Sequence, residues 1–350
     1  MARLNRTSKP LKKLVIPFFI FGVFILYLGS VFMLWSKFHV QNNNNNVYVT
    51  LPKINPTDED FVKNVFPVGV NSVKKEIIED PAIDLYVESH LSINTDHSRQ
   101  DRWLDRLLSQ LTKWDLYQQL ASPSTRILII NPGERKEEVT KNFGDILRWN
   151  KDEIKKFESR VTKSEPFLDE GKFFPGRYVV EKSIKGEALA DILNERFTSE
   201  ILDKYDTSVA EKVPLNEALI IASLLEREAY DFTDMRYISG IIWNRMFIDM
   251  PLQLDATLQY ARGSKVSEAK WWPTPNPADK YLKSPYNTYK NAGLPPTPIA
   301  NPSVEAVVAA LNPRSTECMF YLHDTNGGFH CTKTYKEHIA NIKKYYGQDN

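Results

Sequence analysis

Two glutamates end one strongly apolar stretch of the chain, and their spacing limits the chemistry that they can share. Leu215 to Phe232 reads LNEALIIASLLEREAYDF, which predicts a helix that ends near Glu226 and Glu228. At about 100° per residue the two side chains point roughly 200° apart, so one site can hardly use both directly. Glu226 continues a stripe of apolar or small residues, whereas the stripe of Glu228 begins with the charge of Glu217. Glu226 is therefore the better candidate for a desolvated carboxyl, whose raised pKa keeps it protonated and able to donate a proton.

A competing interpretation treats both acids as solvated residues at a helix end, with Arg227 and Arg245 as ion-pair partners, since structural ion pairs also perturb carboxyl groups. A single buried acid near aromatic and amide side chains suits glycoside cleavage, because the leaving oxygen needs a proton. Aromatic rings can stack on sugar rings, although ordinary core packing is the commoner fate of any one aromatic residue. The candidate catalytic residue is Glu226, and the candidate substrate-binding residues are Glu228, Arg245, Gln253, Asp255, Thr257, Tyr286, Asn287 and Tyr289.

The sequence lacks the motifs of metal-binding, phosphate-binding and serine-nucleophile sites. The histidines near the C-terminus, His323, His330 and His338, lack metal-ligand spacing, so no metal is predicted. A phosphate-binding glycine loop and a GxSxG elbow are absent, so no cofactor is expected and a serine protease or esterase is disfavoured. The 45 basic residues against 44 acidic ones give a net charge of +1, which argues against binding to nucleic acid.

The elements that must position these residues do not alternate regularly between strand and helix, which favours an α+β fold. Residues 126–130 predict a strand, residues 137–147 and 151–157 two helices, residues 170–180 a turn-rich segment that enters a strand, and residues 185–197 a further helix. Such a small unit is typical of sugar-binding modules. Later helices are predicted over residues 215–229, 234–246, 302–311 and 335–346, with a hairpin around residues 318–332.

The N-terminal segment predicts a membrane anchor. Residues 14–35 form a 22-residue run without charge, long enough to cross a bilayer and longer than the apolar region of a cleaved signal peptide. Five basic residues and no acid precede this run, so the remaining chain carries a net charge of −4. The positive-inside rule then places the N-terminus in the cytoplasm and residues 36–350 outside the cell membrane.

Several short motifs, taken in order, resemble the MltG-type (YceG-like) endolytic murein transglycosylases of bacterial membranes. The resemblance covers roughly residues 126–347. The matching segments are EGKFFPGRY (170–178), IASLLERE (221–228), WNR (243–245), LQLDAT (252–257), SPYNTY (284–289), GLPPTPIANP (293–302), AALNP (309–313) and KTYKEH (333–338). The chain departs from the family at Ala256, where proline is common, and in GGFHC, where the histidine of the family's GGHxF is displaced by one.

The resemblance implies a LysM-like module ahead of a catalytic domain, and it implies that Glu226 is the catalytic acid and base. The activity implied is cleavage of the bond between N-acetylmuramic acid and N-acetylglucosamine within nascent peptidoglycan strands, which leaves 1,6-anhydromuramyl ends without consuming water. Peptidoglycan synthases are implied partners. The remaining alternatives are a muramidase-type hydrolase and a non-catalytic peptidoglycan-binding scaffold. The predicted organisation is a cytoplasmic tail (1–13), a transmembrane helix (14–35), an Asn-rich linker (36–46), an unassigned region (47–125), a LysM-like module (126–210) and a YceG-like catalytic domain (211–350).

Two cysteines and one histidine near the C-terminus leave open questions. A tight turn at Asn326-Gly327 would place Cys318 opposite Tyr335, whereas a four-residue loop over residues 323–326 would place Cys318 opposite Cys331 and permit a disulfide. The one-residue displacement of His330 predicts that its side chain lies on the other face of its strand.

Overall fold

The computed structural model describes residues 65–81, 83, 86, 124–163, 168, 170–263 and 271–347. These residues belong to one compact unit, Phe61–Asn350. The predicted transmembrane helix, the Asn-rich linker and most of the unassigned region lie outside the described residues. Within the described part of the chain, no helix is both long enough and apolar enough to cross a membrane.

The secondary structure is mixed, as an α+β fold requires. The strands of the described residues form three separate antiparallel pairs. The strands are β1 (Val70–Asn71), β2 (Glu76–Ile77), β3 (Thr125–Ile130), β4 (Gly176–Glu181), β5 (Phe320–His323) and β6 (Phe329–Thr332). The helices are α1 (Lys136–Leu147), α2 (Lys151–Thr162), α3 (Gly186–Glu200), α4 (Thr207–Ala210), α5 (Leu215–Glu228), α6 (Phe232–Phe247), α7 (Asp255–Gly263), α8 (Val304–Leu311) and α9 (Tyr335–Tyr346).

Strand β3, helices α1 and α2, and strand β4 form a βααβ unit, and helix α3 completes its buried core. Strands β3 and β4 pair along their whole length, from Thr125 opposite Glu181 to Ile130 opposite Gly176. Alternate residues of β3 are buried, as the period of a strand with one covered face predicts. Helix α2 is one turn longer than the sequence pattern predicts, because Val161 continues its buried face.

Helix α5, which carries both glutamates, runs through the centre of the second core. Its residues 218–225 are all buried, which is the pattern of a helix covered on every side rather than on one face. Helix α8 packs along it and is buried from Ala306 to Leu311. Helix α6 packs on both, and Trp243 of α6 donates an indole hydrogen bond of 2.9 Å to the carbonyl of Ala310. Helices α5, α6 and α8 therefore share one buried core.

The β5–β6 hairpin has neither of the two predicted registers. Phe320 pairs with Thr332 and His323 with Phe329, so the connection spans five residues, 324–328. The carboxylate of Asp324 stabilises this loop by accepting hydrogen bonds from the backbone N–H groups of Asn326 and Gly328. The alternation of side chains along the strands does not predict a loop that is stabilised in this way. Cys318 and Cys331 nevertheless form a disulfide, with Cα atoms 5.7 Å apart.

Candidate active site

The carboxyl group of Glu226 is held by one residue at the start of helix α8. Ser303 is the N-cap of α8, and its hydroxyl accepts a hydrogen bond from the backbone N–H of Ala306. The same hydroxyl donates to Oε1 of Glu226 over 2.6 Å, and the backbone N–H of Ser303 donates to the same oxygen over 2.8 Å. Both donors therefore engage the same carboxyl oxygen, Oε1.

Burial sets the proton affinity of Glu226. Desolvation raises the pKa of this carboxyl to about 7, and the two hydrogen bonds from Ser303 limit the rise because they stabilise the ionised form. The negative charge of nearby Glu305 also raises the pKa, although by less. A carboxyl with a pKa near neutrality can both give and take a proton at physiological pH, as general acid–base catalysis requires. The sequence prediction of a partly desolvated carboxyl at Glu226 agrees with this geometry.

Glu228 lies in a different set of contacts, as the helical spacing predicts. Its Oε2 accepts a hydrogen bond of 2.8 Å from the hydroxyl of Tyr321, and its Oε1 lies 3.4 Å from the backbone nitrogen of Ala256. Burial raises the pKa of Glu228, and the bond from Tyr321 opposes that rise. Because both of its oxygens face protein donors, Glu228 is less available to a reactant than Glu226 is.

The βααβ unit forms a wall beside Glu226. Gly133, in the loop after β3, has a φ of +78°, and a Cβ added there would lie 3.6 Å from Cβ of Glu226. Arg227 stacks on the ring of Trp272, with its guanidinium carbon 3.9 Å from the ring centre. The indole N–H of Trp272 in turn donates a 3.1 Å hydrogen bond to the Glu138 carboxyl of α1. Burial raises the pKa of Glu138.

Two of the predicted substrate-binding residues, Asp255 and Tyr289, interact electrostatically with Glu228. Tyr289 donates a hydrogen bond of 2.7 Å to Asp255 at the start of α7. Burial raises the pKa of Tyr289, and the charges of Asp255 and Glu228 raise it further. Arg245 directs its donors at the backbone carbonyls of residues 251, 252 and 319, so its role here is to hold loops together. Its burial lowers the pKa of the guanidinium group.

The other predicted binding residues mainly fix the loops around α7. Thr257 is fully buried and bonds the carbonyl of Leu254 and the hydroxyl of Thr288. Asn287 is also fully buried, with its amide group donating to two backbone carbonyls. The hydroxyl groups of Tyr286 and Thr297 lie 2.8 Å apart. Gln253 has a left-handed backbone with φ of +54°, and its side chain is exposed.

The displaced histidine lies on the face of β6 opposite to Phe329. His330 contacts Asp324 over 2.8 Å and stacks on Tyr345 of α9, with ring centres 4.0 Å apart. Phe329 instead stacks on Tyr321, the residue that binds Glu228. The alternation of faces along the strand follows the prediction. Among the described residues no group of three or more His, Cys, Asp or Glu side chains could hold a metal ion.

Two important contacts of the glutamates were not among the predicted site residues. Ser303 could have been found from its position, because a serine that opens an apolar helix after Pro302 is a typical N-cap. Tyr321 gives no comparable signal, since it lies in a short strand about 90 residues from Glu228. Only the pairing of β5 with β6 and its packing bring this hydroxyl to the end of α5.

The structure is thus an α+β protein with a candidate acid–base centre: a carboxyl of raised pKa at the end of a buried helix, beside a βααβ unit. Comparison with protein families identifies the family of this chain. The model of the YceG-like family matches residues 103–344, and the chain belongs to that family.

Two endolytic murein transglycosylases are similar in sequence to about half of this chain. An endolytic murein transglycosylase of Bacillus subtilis (strain 168) is 35% identical over 184 residues, which cover 52% of this chain and 49% of that protein. An endolytic murein transglycosylase of Streptococcus pneumoniae (strain D39) is 31% identical over 177 residues, which cover 50% of this chain and 32% of that protein. This chain therefore matches about half of the first relative's length and about a third of the second's.

A solved structure shares the fold. The crystal structure of a yceG-like protein from Listeria monocytogenes superimposes with a TM-score of 0.54 at 27% sequence identity. The superposition covers 61% of this chain and 75% of the Listeria chain.

Proposed function

We propose that this protein is an endolytic peptidoglycan lytic transglycosylase that cleaves the bond between N-acetylmuramic acid and N-acetylglucosamine. The observation that carries the proposal is the carboxyl of Glu226, which has a pKa of about 7 and is held through one oxygen by Ser303. Membership of the YceG-like family and two relatives named endolytic murein transglycosylase support the same reaction.

One carboxyl suffices for this reaction, because the nucleophile belongs to the substrate. Protonated Glu226 gives its proton to the glycosidic oxygen, and the bond from the muramyl anomeric carbon to that oxygen breaks. The N-acetylglucosamine residue leaves with a 4-hydroxyl group. The carboxylate of Glu226 then takes the proton of the muramyl 6-hydroxyl, whose oxygen bonds to the anomeric carbon. The product is a 1,6-anhydromuramyl end, and Glu226 regains its proton.

The contacts of Glu228 argue against its use as the second carboxylate of a hydrolase. A hydrolase of the two-carboxylate type needs a second carboxylate, either to activate water or to attack the sugar. The nearest acid along helix α5 is Glu228, and its oxygens face the hydroxyl of Tyr321 and the backbone nitrogen of Ala256. An intramolecular hydroxyl nucleophile removes the need for that second group.

The proposal includes a place in the cell and a domain organisation. We infer a single-pass anchor at residues 14–35 with the body outside the cytoplasm, near the synthases that make its substrate. The charge asymmetry of the sequence supports this topology, and so does the Cys318–Cys331 disulfide, since such bonds persist in oxidising compartments. For residues 126–210 we propose a LysM-like module, which the βααβ order and the antiparallel pairing of β3 with β4 support.

Digestion of purified peptidoglycan tests the function. The chain is incubated with intact sacculi or uncrosslinked glycan strands, and the soluble fragments are analysed by mass spectrometry. We expect muropeptides that are lighter by one water than their reducing counterparts, and we expect Glu226→Gln to lose activity by about 10³-fold or more. Reducing ends would assign the protein as a muramidase-type hydrolase. Binding without cleavage would assign it as a scaffold.

A further inference from the structure

Asn301 joins three separate segments of the chain at one buried point. Its side chain is fully buried, and its Oδ1 accepts hydrogen bonds from the backbone N–H groups of Gly171 (3.1 Å) and Phe173 (3.0 Å). Its Nδ2 donates to the carbonyl of Glu134 over 2.8 Å. The backbone of Asn301 adds two bonds, one to the carbonyl of Glu134 and one from the N–H of Gly133, both 2.9 Å. Two loops of the βααβ unit, residues 131–135 and 170–175, are thus fixed to this residue.

The same residue lies two positions before the group that holds the candidate catalytic acid. Pro302 lies between Asn301 and Ser303, and its ring restricts the backbone that joins these two residues. Ser303 then directs both of its donors to Oε1 of Glu226. On the other side, Gly133 borders Glu226 directly. A displacement of residue 301 would therefore move the two donors of Glu226 relative to the wall formed by the βααβ unit.

We propose that Asn301 is a positioning residue of the active site, through which the βααβ unit fixes Ser303 and thereby the carboxyl of Glu226. This inference rests on the proposed function, and it adds that the unit is a structural part of the catalytic centre. In physical terms, a geometry for proton transfer must be held to within a fraction of an ångström, and a misplacement of about 1 Å can cost about 10²-fold in rate. The five hydrogen bonds at Asn301 supply that restraint.

A second buried asparagine provides a matched control at the opposite end of helix α8. Asn312 is also fully buried, and its Oδ1 accepts from the N–H of Gly69 over 2.9 Å. Its Nδ2 donates to the carbonyls of Pro67 (2.7 Å) and Val308 (2.9 Å). Both asparagines therefore connect distant segments with three side-chain hydrogen bonds. Only Asn301 adjoins the residue that binds Glu226.

The test compares Asn301→Ala and Asn301→Asp with Asn312→Ala and Asn312→Asp in the full chain. Three quantities are measured: the melting temperature, kcat and KM for release of anhydro-muropeptides between pH 5 and 9, and the titration of Glu226 followed by carboxyl ¹³C NMR without substrate. We expect all four variants to melt below the wild type. The Asn301 variants should lose about 10²-fold in kcat with a smaller change in KM, and should titrate Glu226 at a higher pH.

The Asn312 variants should keep kcat within about threefold of the wild type and leave the titration of Glu226 unchanged, as expected of changes that act only on stability. The inference is overturned if the Asn301 variants melt lower yet keep the wild-type kcat and titration. It is also overturned if both Asn301 variants fail to fold while both Asn312 variants fold, because Asn301 would then be a folding residue only. A wild-type chain that cleaves nothing refutes the proposed function instead, and the titration still reports whether Asn301 positions Glu226.

Discussion

The hydroxyl of Ser303 limits the rise in the pKa of Glu226, and its removal provides a quantitative test. Ser303→Ala deletes the 2.6 Å hydrogen bond to Oε1 of Glu226 but keeps the 2.8 Å bond from the backbone N–H. A hydrogen bond to a charged group contributes about 1.5–3 kcal/mol, against about 0.5–1.5 kcal/mol for a neutral one. The ionised carboxylate therefore loses about 1–1.5 kcal/mol more than the protonated acid does, which corresponds to about one pH unit. The pKa of Glu226, about 7 in the wild type, should rise accordingly.

The assay is the pH dependence of kcat/KM for release of anhydro-muropeptides. In the proposed reaction the free protein must hold Glu226 protonated to act as the acid, so activity is expected to fall as pH rises through the pKa of this residue. In Ser303→Ala the alkaline limb should move up by about one pH unit. Ser303→Thr keeps a hydroxyl at the N-cap and should retain the wild-type limb.

Substitution of a second N-cap residue distinguishes an electrostatic effect on Glu226 from a general loss of stability. Thr334 is the N-cap of α9, where its hydroxyl accepts from the backbone N–H of Glu337, far along the chain from the glutamates of α5. Loss of either cap should cost about 1 kcal/mol of stability. Only Ser303→Ala should shift the limb. If Ser303→Ala melts like Thr334→Ala and keeps the wild-type limb, burial alone sets the pKa of Glu226, and the reasoning about Ser303 is wrong.

Three further changes address the remaining contacts. Glu226→Gln should be more stable than the wild type by about 3 kcal/mol at pH 8 and equally stable near pH 4. The reason is that the pKa of this carboxyl rises from 4.5 in the unfolded chain to about 7 in the folded one, so the wild type loses stability as the pH rises between these values. Chemical denaturation at both pH values measures the difference. Tyr321→Phe removes the donor that limits the pKa of Glu228 and should raise that pKa without shifting the alkaline limb of Glu226. An unchanged titration of Glu228, followed by carboxyl ¹³C NMR, would show that burial alone sets its pKa. Reduction of the Cys318–Cys331 disulfide, which closes a separation of 13 residues, should cost about 3 kcal/mol by denaturant titration, with Cys318→Ser insensitive to reductant as the control.

The parts of the site that local sequence can encode were predictable, and the parts that depend on tertiary packing were not. The apolar stripe of α5 leads to Glu226 because helical periodicity is a property of consecutive residues. The separate contacts of Glu228 follow from the same geometry. The hairpin register was wrong in both predicted forms because Asp324 caps a five-residue loop with its side chain, and strand periodicity carries no information about such a cap.

The predicted substrate-binding residues show a second limit of prediction from sequence, which concerns burial. Thr257 and Asn287 have the polarity of sugar-binding side chains, yet both are fully buried and satisfy backbone groups of the loops around α7. A buried polar group must find partners inside the protein, so residues of this type are as useful for fixing loops as for binding ligands. Composition and spacing cannot distinguish the two uses, because burial is decided by elements far away in the sequence.

The βααβ unit and the second core both contribute to the position of Glu226. Glu226 ends a helix that is covered on all sides, so the position of its backbone is fixed by the core. Its carboxyl is fixed by Ser303, and Ser303 follows directly from the point where Asn301 binds the loops of the βααβ unit. The core thus positions the backbone of Glu226, and Ser303 positions its carboxyl group. A change in the core should therefore lower stability and activity together, and a change at Asn301 or Ser303 should in addition alter the pH at which Glu226 titrates.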